Sequence, residues 1–230
     1  MSENKVPEPT VMPVDRHEWA KQIGLSNFIN AYYQFRDIQN IGGCNKILIV
    51  GPGQGFEKVV FEWRGYVVAT LDIDRTFVPD YIGSVHDLSM FVSKQFDAVI
   101  ASHVIEHLPV PYLDAALKEI ARVGTYALIY LPVCGKHLQG RFMTGARRID
   151  LSFILDLYNY FKKPDGTSPC YMGGQHFWEV GMRGFRVRDL RKRFSKFFQI
   201  LDVYRNKDWL PSMNFVLRSR GYGGLKASEK

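Results

Sequence analysis

The ten residues from position 46 to position 55, Lys-Ile-Leu-Ile-Val-Gly-Pro-Gly-Gln-Gly, constrain the fold of this chain more than any other segment. The apolar first half predicts a buried parallel strand that ends before Gly51. Glycines then alternate at Gly51, Gly53 and Gly55, and the following residues place apolar side chains at helical spacing. Glycine adopts positive φ angles and lets a backbone approach a ligand closely. The strand, turn and helix therefore predict a nucleotide-binding βα unit.

An acidic residue ends the second predicted strand, about twenty residues beyond the glycine turn. This strand covers residues 66–74 and ends with Asp72, Ile73 and Asp74. In Rossmann-like folds, a carboxylate at this place accepts hydrogen bonds from both hydroxyls of a ribose. We therefore expect Asp72 to bind a ribose, with Asp74 as the second candidate.

The rest of the chain alternates between strand-like and helical patterns. Proline opens and glycine closes the helix that precedes the fifth strand, as expected at helix ends. The further predicted elements are a helix within 15–40, strands at 81–88 and 96–102, a helix at 113–123, a strand at 125–133, a helix at 187–194, and strands at 198–204 and 214–218.

Four segments stand in an order that resembles the class I S-adenosylmethionine-dependent methyltransferases. They are the glycine turn, Leu-Asp-Ile-Asp at 71–74, Phe-Asp-Ala-Val at 96–99 and Val-Ile-Glu-His-Leu-Pro at 104–109. The resemblance covers residues 44–133 well. It continues more weakly at 173–181, where Gly-Gly-Gln-His-Phe-Trp-Glu-Val-Gly is similar to an element of the type 11-like group. The Gly-x-Gly-x-Gly turn and the Glu-His-Leu-Pro segment favour this class over a dehydrogenase.

The resemblance implies an α/β fold with a Rossmann-like, doubly wound, seven-stranded and mostly parallel sheet, closed by an antiparallel C-terminal hairpin. Residues 1–14 are expected to be flexible, and residues 15–230 to form a single domain. A glycine-rich insertion at 134–184, with a helix predicted at 150–161, follows the fifth strand. Ligands bind beyond the carboxyl ends of the strands in such sheets, so we expect the insertion to form a lid over the methyl acceptor.

The resemblance also implies S-adenosylmethionine as the cofactor and S-adenosylhomocysteine as its product. Ser84 stands where related enzymes carry an acid at the adenine, so Asp87 is an alternative adenine contact. A second departure is Ile49, because family members commonly carry an acid two residues before the first glycine. The residues expected to bind the cofactor are Gly51, Pro52, Gly53, Gly55, Asp72, Ile73, Ser84, Val85, Asp87, Ser102 and His103.

Methyl transfer from a sulfonium is an in-line displacement, which requires alignment of the reactants and exclusion of water. Neither a metal nor a covalent nucleophile is expected. His176, with Glu179 beside it, is the first candidate for a base, because histidine accepts a proton near neutral pH. Alternatively, these two residues pin the lid to the body of the domain. His103 is the second candidate, and Glu106 with His107 is expected to form scaffolding more often than to act in catalysis.

The net charge of +7 leaves the partner of this chain open. Apolar residues interleave with the main basic segment, so a solvated helix face and an RNA-facing surface both fit it. The chain lacks an apolar run that could span a bilayer, and its three cysteines are widely spaced, which favours a cytoplasmic protein with reduced thiols. The basic residues are Arg183, Arg186, Arg188, Arg191, Lys192, Arg193 and Lys196.

Three functional hypotheses follow. The first is S-adenosylmethionine-dependent methyl transfer to a small or carrier-linked acceptor. The second is an RNA methyltransferase that uses the basic surface, although the chain lacks an Asn/Asp-Pro-Pro-Tyr base clamp. The third is a non-catalytic scaffold with the methyltransferase fold, which Ile49 and Ser84 suggest. The acceptor, the methylated atom and the oligomeric state stay open.

Overall fold

A computed structural model describes residues 8–9, 24–145, 147–155, 164, 166–168, 175–209 and 211–221. The helices are α1 (Leu25–Ile41), α2 (Phe56–Trp63), α3 (Leu113–Val123) and α4 (Val187–Phe194). The strands are β1 (Lys46–Val50), β2 (Val67–Asp72), β3 (Tyr81–Ile82), β4 (Phe96–Ser102), β5 (Gly124–Pro132), β6 (Lys136–Thr144), β7 (Arg147–Leu155), β8 (Phe198–Arg205) and β9 (Ser212–Ser219).

Seven of the strands form one sheet in the order β3-β2-β1-β4-β5-β9-β8. The pairings from β3 to β5 are parallel, whereas β9 lies antiparallel to both β5 and β8. This topology confirms the predicted Rossmann-like sheet and its antiparallel C-terminal hairpin. Strand order reverses between β1 and β4, and open α/β sheets bind their ligands at the carboxyl ends of strands beside such a reversal.

The side chains of β1 alternate between two buried layers of the core. Leu48 and Val50 belong to the layer that contains the apolar residues of α3 and α4. Ile47 and Ile49 belong to the opposite layer, with residues of α1 and α2. A parallel strand covered on both faces is apolar throughout, which accounts for the continuous apolar run in the sequence. Ile49, where related enzymes commonly carry an acid, is 3% exposed.

Most predicted bounds agree with the structure, and the clearest error lies in the insertion. The helix predicted at 150–161 is wrong over its described part, because Arg147–Leu155 is a strand that pairs antiparallel with β6. Apolar and polar residues alternate strictly from 149 to 153, which is the period of a strand and not of a helix. Residues 156–161 lie outside the described residues.

The other differences are smaller. The third strand is only two residues long, because the chain turns after it and the Asp87 N–H donates to the Ser84 carbonyl oxygen. The predicted N-terminal helix begins at Leu25, and residues 10–23 lie outside the described residues, as do most of the predicted flexible residues 1–14. The assignment of 15–230 to one domain, and of 134–184 to a lid, stays a prediction.

A buried carboxylate joins α1 to β5 and β8. Asp37 is 3% exposed, and its Oδ2 accepts hydrogen bonds from the hydroxyls of Tyr130 and Tyr204, both at 2.6 Å. The Arg36 guanidinium donates to Asp37 Oδ1 at 2.8 Å. A buried carboxylate is stable only with such partners. Burial and the Asp37 charge raise the pKa of Tyr130 well above its usual range, so its hydroxyl stays protonated and remains a donor.

Removal of the Tyr130 hydroxyl should therefore weaken the fold. We expect Tyr130→Phe to lower the free energy of unfolding by about 1.5–3 kcal/mol, because a hydrogen bond to a buried charge is lost. Chemical denaturation measures this change. The matched control is Tyr126→Phe on the same strand, where the described residues offer the hydroxyl no hydrogen bond; its effect should stay below about 0.5 kcal/mol. Equal losses in the two variants would contradict the argument.

Candidate functional site

A cavity of about 320 Å³ opens at the carboxyl ends of β1, β2 and β4. Its volume lies within the range of small-molecule sites, roughly 300–1,000 Å³. The cavity brings together eight residues that the sequence analysis singled out, and these are Gly51, Gly53, Asp72, Ile73, Ser84, Val85, His103 and His176. The lining residues that it did not assign to the site include Phe77, Gly83, Val104, His107, Leu108 and Gln175.

The glycine turn adopts conformations that other residues reach only with strain. The φ angles of Gly51, Gly53 and Gly55 are 66°, 53° and 75°. The Gly51 N–H donates to the Leu71 carbonyl oxygen at 2.8 Å, which fixes the end of β1 against β2. A Cβ atom at Gly51 would lie 2.5 Å from Val104 Cγ2, whereas one at Gly55 would meet nothing within 4 Å. Gly51 is thus required by close packing as well as by conformation.

The two acids that follow β2 have different surroundings. Asp72 lines the cavity, and its Oδ1 accepts a hydrogen bond from the Asp74 N–H at 2.8 Å. Asp74 is 5% exposed and accepts from both the N–H and the hydroxyl of Thr76, so it caps the short helical turn that follows. This geometry favours Asp72 over Asp74 as the ribose ligand, as expected from the sequence.

Five of the predicted site residues lie outside the cavity lining. Pro52 is buried within the glycine turn, Gly55 is the residue before α2, and Ser102 ends β4. Asp87 is exposed and accepts a hydrogen bond from the Ser89 N–H at 3.0 Å. Glu179 is buried behind His176. The adenine contact therefore has stronger geometric support at Ser84 and Val85, which line the cavity.

Three histidines, His103, His107 and His176, line the side of the cavity formed by the residues after β4 and by the insertion. The fully buried Glu106 lies among them. Its Oε1 is 3.8 Å from His103 Nδ1, 3.9 Å from His107 Nε2 and 4.0 Å from His176 Nε2. Within the described part of the chain, neither carboxylate oxygen of Glu106 has a hydrogen-bond partner.

Hydrogen bonds between two distant segments hold this cluster together. The Phe177 N–H donates to the Glu106 carbonyl oxygen at 2.9 Å. His107 Nδ1 donates to the Gln175 carbonyl oxygen at 3.0 Å, and His176 Nδ1 lies 2.6 Å from Glu179 Oε1. The segment after position 174 is therefore fixed beside the turn at Ile105–His107.

Burial shifts the titration of the cluster. Burial, with His176 and His107 nearby, lowers the pKa of His103 to about 4, and burial with His176 lowers the pKa of His107 to about 4. Both imidazoles are thus neutral near pH 7. Burial raises the pKa of the Glu106 carboxyl well above its usual range, and the Glu179 charge raises it further. His103 also has a positive φ of 55°, a strained conformation that is frequent at functional sites.

Comparison with known proteins agrees with the fold and the glycine turn. Residues 48–125 match a family model described as a methyltransferase domain. No curated protein sequence matches the chain. Among solved structures, an S-adenosylmethionine-dependent methyltransferase from Clostridium acetobutylicum ATCC 824 superposes with a TM-score of 0.54 at 9% identity, over 91% of this chain and 94% of that one.

Two further structures share the architecture. A protein from Pyrococcus horikoshii OT3 has a TM-score of 0.55 at 13% identity, over 86% of this chain and 93% of that one. Streptomyces venezuelae DesVI has a TM-score of 0.54 at 11% identity, over 91% of this chain and 100% of that one. At such identities these structures establish the fold alone, which is the Rossmann-like fold of methyltransferases.

The domain match and the fold together confirm the resemblance drawn from the motifs. The chain thus carries a methyltransferase domain match at residues 48–125 within a Rossmann-like fold, as the motifs predict. A methyltransferase domain of this kind is consistent with S-adenosylmethionine as the cofactor. In the part of the chain that the structure describes, every helix is too short or too polar to cross a membrane.

The contact between Gly51 and Val104 can be tested by substitution. We expect Gly51→Ala to lower the free energy of unfolding by about 2–5 kcal/mol, because backbone strain and overpacking add. Gly55→Ala should cost only the strain, about 1–2 kcal/mol. Denaturant unfolding measures both. Adding Val104→Ala to Gly51→Ala should restore part of the loss, and a purely additive double variant would disprove the clash.

Proposed function

We propose that the protein transfers the methyl group of S-adenosylmethionine to a small or carrier-linked acceptor by in-line displacement. One observation carries the proposal: a single cavity is lined both by the expected cofactor residues and by three histidines, His103, His107 and His176. Cofactor and acceptor would therefore share one site, and their alignment there can supply much of the rate enhancement in a displacement reaction.

The residues of the cavity fit the cofactor. Gly51 and Gly53 line the cavity and have no side chains, so the methionine part of the cofactor can approach the backbone there. Asp72 would accept hydrogen bonds from the ribose hydroxyls. Ser84 and Val85 would contact the adenine, and Phe77 would contribute apolar surface beside them.

The histidine cluster would contact the acceptor. Neutral imidazoles can accept a hydrogen bond from an acceptor hydroxyl or amine, and this orients its lone pair toward the methyl group. His176 Nδ1 lies 2.6 Å from Glu179 Oε1, and in the neutral tautomer that donates to this carboxylate Nε2 carries the lone pair. Two roles fit that nitrogen. It could accept the proton of the methyl acceptor directly, as a base assisted by Glu179, or it could bind a cation.

The basic segment from Arg183 to Lys196 gives less support to an RNA acceptor. Leu190 and Phe194 of α4 are buried, so one face of this helix belongs to the core. Arg193 Nε lies 2.8 Å from Asp114 Oδ1, and Lys196 Nζ lies 3.4 Å from Asp114 Oδ2. A solvated helix face with local ion pairs accounts for these residues, and a small acceptor remains the favoured substrate.

Calorimetric titration with S-adenosylmethionine and S-adenosylhomocysteine tests the cofactor site. We expect the wild-type protein to bind both, and Asp72→Ala to weaken binding at least tenfold, because the ribose loses its charged hydrogen-bond acceptor. The matched control is Asp202→Ala, which removes an exposed carboxylate on β8. It should leave both affinities unchanged.

The outcomes separate the three functional hypotheses. A folded wild-type protein that binds neither ligand would contradict the proposal and favour the scaffold. If Asp72→Ala bound both ligands as tightly as the wild-type protein does, Asp72 would not be the ribose ligand. RNA binding that weakens steeply with added salt would favour the RNA methyltransferase, because phosphate contacts release counterions.

A further inference from the structure

The cluster around Glu106 has the ligand set and spacing of a metal site. One ligand atom from each of Glu106, His107 and His176 lies within 4.8 Å of the other two. Metal-bound imidazole nitrogens and carboxylate oxygens lie about 2.0–2.2 Å from zinc, which places tetrahedral ligands roughly 3.4 Å apart. The observed separations of 3.9 Å and 4.0 Å from Glu106 Oε1 would close around an ion by small side-chain rotations.

The hydrogen bonds of the two histidines determine which nitrogens face Glu106. His107 Nδ1 faces the Gln175 carbonyl oxygen, and His176 Nδ1 faces Glu179 Oε1. Both acceptors place an imidazole proton on Nδ1, so in the neutral tautomer of each ring the lone pair lies on Nε2. Metal-binding histidines usually have this arrangement, in which a carboxylate or carbonyl behind the ring fixes its tautomer and its orientation.

This tautomer leaves Glu106 without a donor. The lone pairs of two Nε2 atoms face a fully buried carboxyl group at distances beyond hydrogen-bond reach. Within the described residues, neither of its oxygens has a hydrogen-bond partner. A buried polar group without a partner is costly. A cation between these three groups would supply the missing partner of Glu106 and bind both Nε2 lone pairs.

We propose that Glu106, His107 and His176 bind a divalent first-row transition-metal ion, and that this ion holds the oxygen of a hydroxyl-bearing methyl acceptor. Two histidines and one carboxylate suit zinc, iron or manganese. Because only three protein groups bind the ion, further coordination positions remain for a ligand. His107 and His176 line the cavity, so those positions face the space where the acceptor would lie. This proposal differs from the expectation drawn from the sequence, which was that methyl transfer here needs no metal.

The reaction rests on the proposed function and deepens it. The acceptor hydroxyl would bind the ion through oxygen, which lowers its pKa, and would release its proton to solvent. A lone pair of that oxygen then forms the bond to the methyl carbon while the carbon–sulfur bond breaks. The electron pair of the broken bond stays on sulfur, so the products are a methyl ether and the neutral S-adenosylhomocysteine. His176 would act through the ion and not as a direct base.

Metal content and affinity test the site directly. We expect the full-length protein, stripped with a chelator, to take up one equivalent of Zn²⁺ or Mn²⁺ in calorimetric titration and elemental analysis. Glu106→Gln keeps the shape of the side chain but removes its charge, and should weaken binding at least 100-fold. Glu179→Gln should weaken binding about 10–100-fold, because it disturbs the group that orients His176. Glu62→Gln, an exposed control on α2, should bind as wild type does.

The outcomes are distinguishable from those of the proposed function. The same samples are titrated with S-adenosylhomocysteine, and circular dichroism establishes that each is folded. Folded wild-type protein that binds S-adenosylhomocysteine but no metal would overturn the metal site and leave the proposed function intact. Protein that binds the metal but not S-adenosylhomocysteine would support the metal site and contradict the proposed function. Equal metal affinity in Glu106→Gln and Glu62→Gln would also overturn the assignment.

A spectroscopic probe tests whether the ion is open to an acceptor. Co²⁺ bound in place of the native metal absorbs visible light, and its spectrum changes when a ligand joins or leaves the ion. We expect acetohydroxamate, a simple oxygen ligand, to change the spectrum of the cobalt protein with S-adenosylhomocysteine bound. An unchanged spectrum would show a closed site and would overturn the role of the ion in binding the acceptor.

Discussion

The position of β1 governs the rest of this structure. It is hydrogen-bonded to β2 on one edge and to β4 on the other, and both of its faces are buried. A strand enclosed in this way can contact a ligand only at its carboxyl end. The chain therefore leaves β1 through three glycines with positive φ, and the neighbouring strands end beside them. The cavity, the acid after β2 and the histidine after β4 all follow from this single enclosed strand.

Local sequence predicted well which residues after β1, β2 and β4 line the cavity. These residues follow strand ends directly, so a strand pattern and the next few residues suffice to place Gly51, Asp72, Ser84 and His103 along one sheet edge. The prediction was weakest where side-chain direction matters. Asp87 is only three residues from Ser84, yet a tight turn leaves it exposed and outside the cavity. A pattern of residue types does not specify the direction in which a side chain points after a turn.

The histidine cluster could not be assembled from local patterns. His107 and Gln175 are 68 residues apart, and hydrogen bonds across that separation bring Glu106 and His176 together. His176 and Glu179 could be predicted as a pair, because they lie only three positions apart in the chain. Glu106 and His107 were expected to form scaffolding, and the Glu106 carbonyl oxygen and the His107 side chain do hold residues 175–177 in place. The strand at Arg147–Leu155 differs from the predicted helix for a local reason, because apolar and polar residues alternate from 149 to 153 with the period of a strand.

The packing of Gly51 against Val104 has a thermodynamic consequence. Val104 lies between His103 and Glu106 in the chain, and its methyl group occupies the place where a Cβ of residue 51 would be. The glycine turn, which would receive the cofactor, is thus packed against the loop that carries Glu106 and His107, which would bind the metal ion. If occupancy of one loop restricts the other, the two affinities change by the same factor whichever ligand binds first. The order in which the cofactor and the metal ion bind would then depend on their concentrations and association rates, and not on the structure of either loop alone.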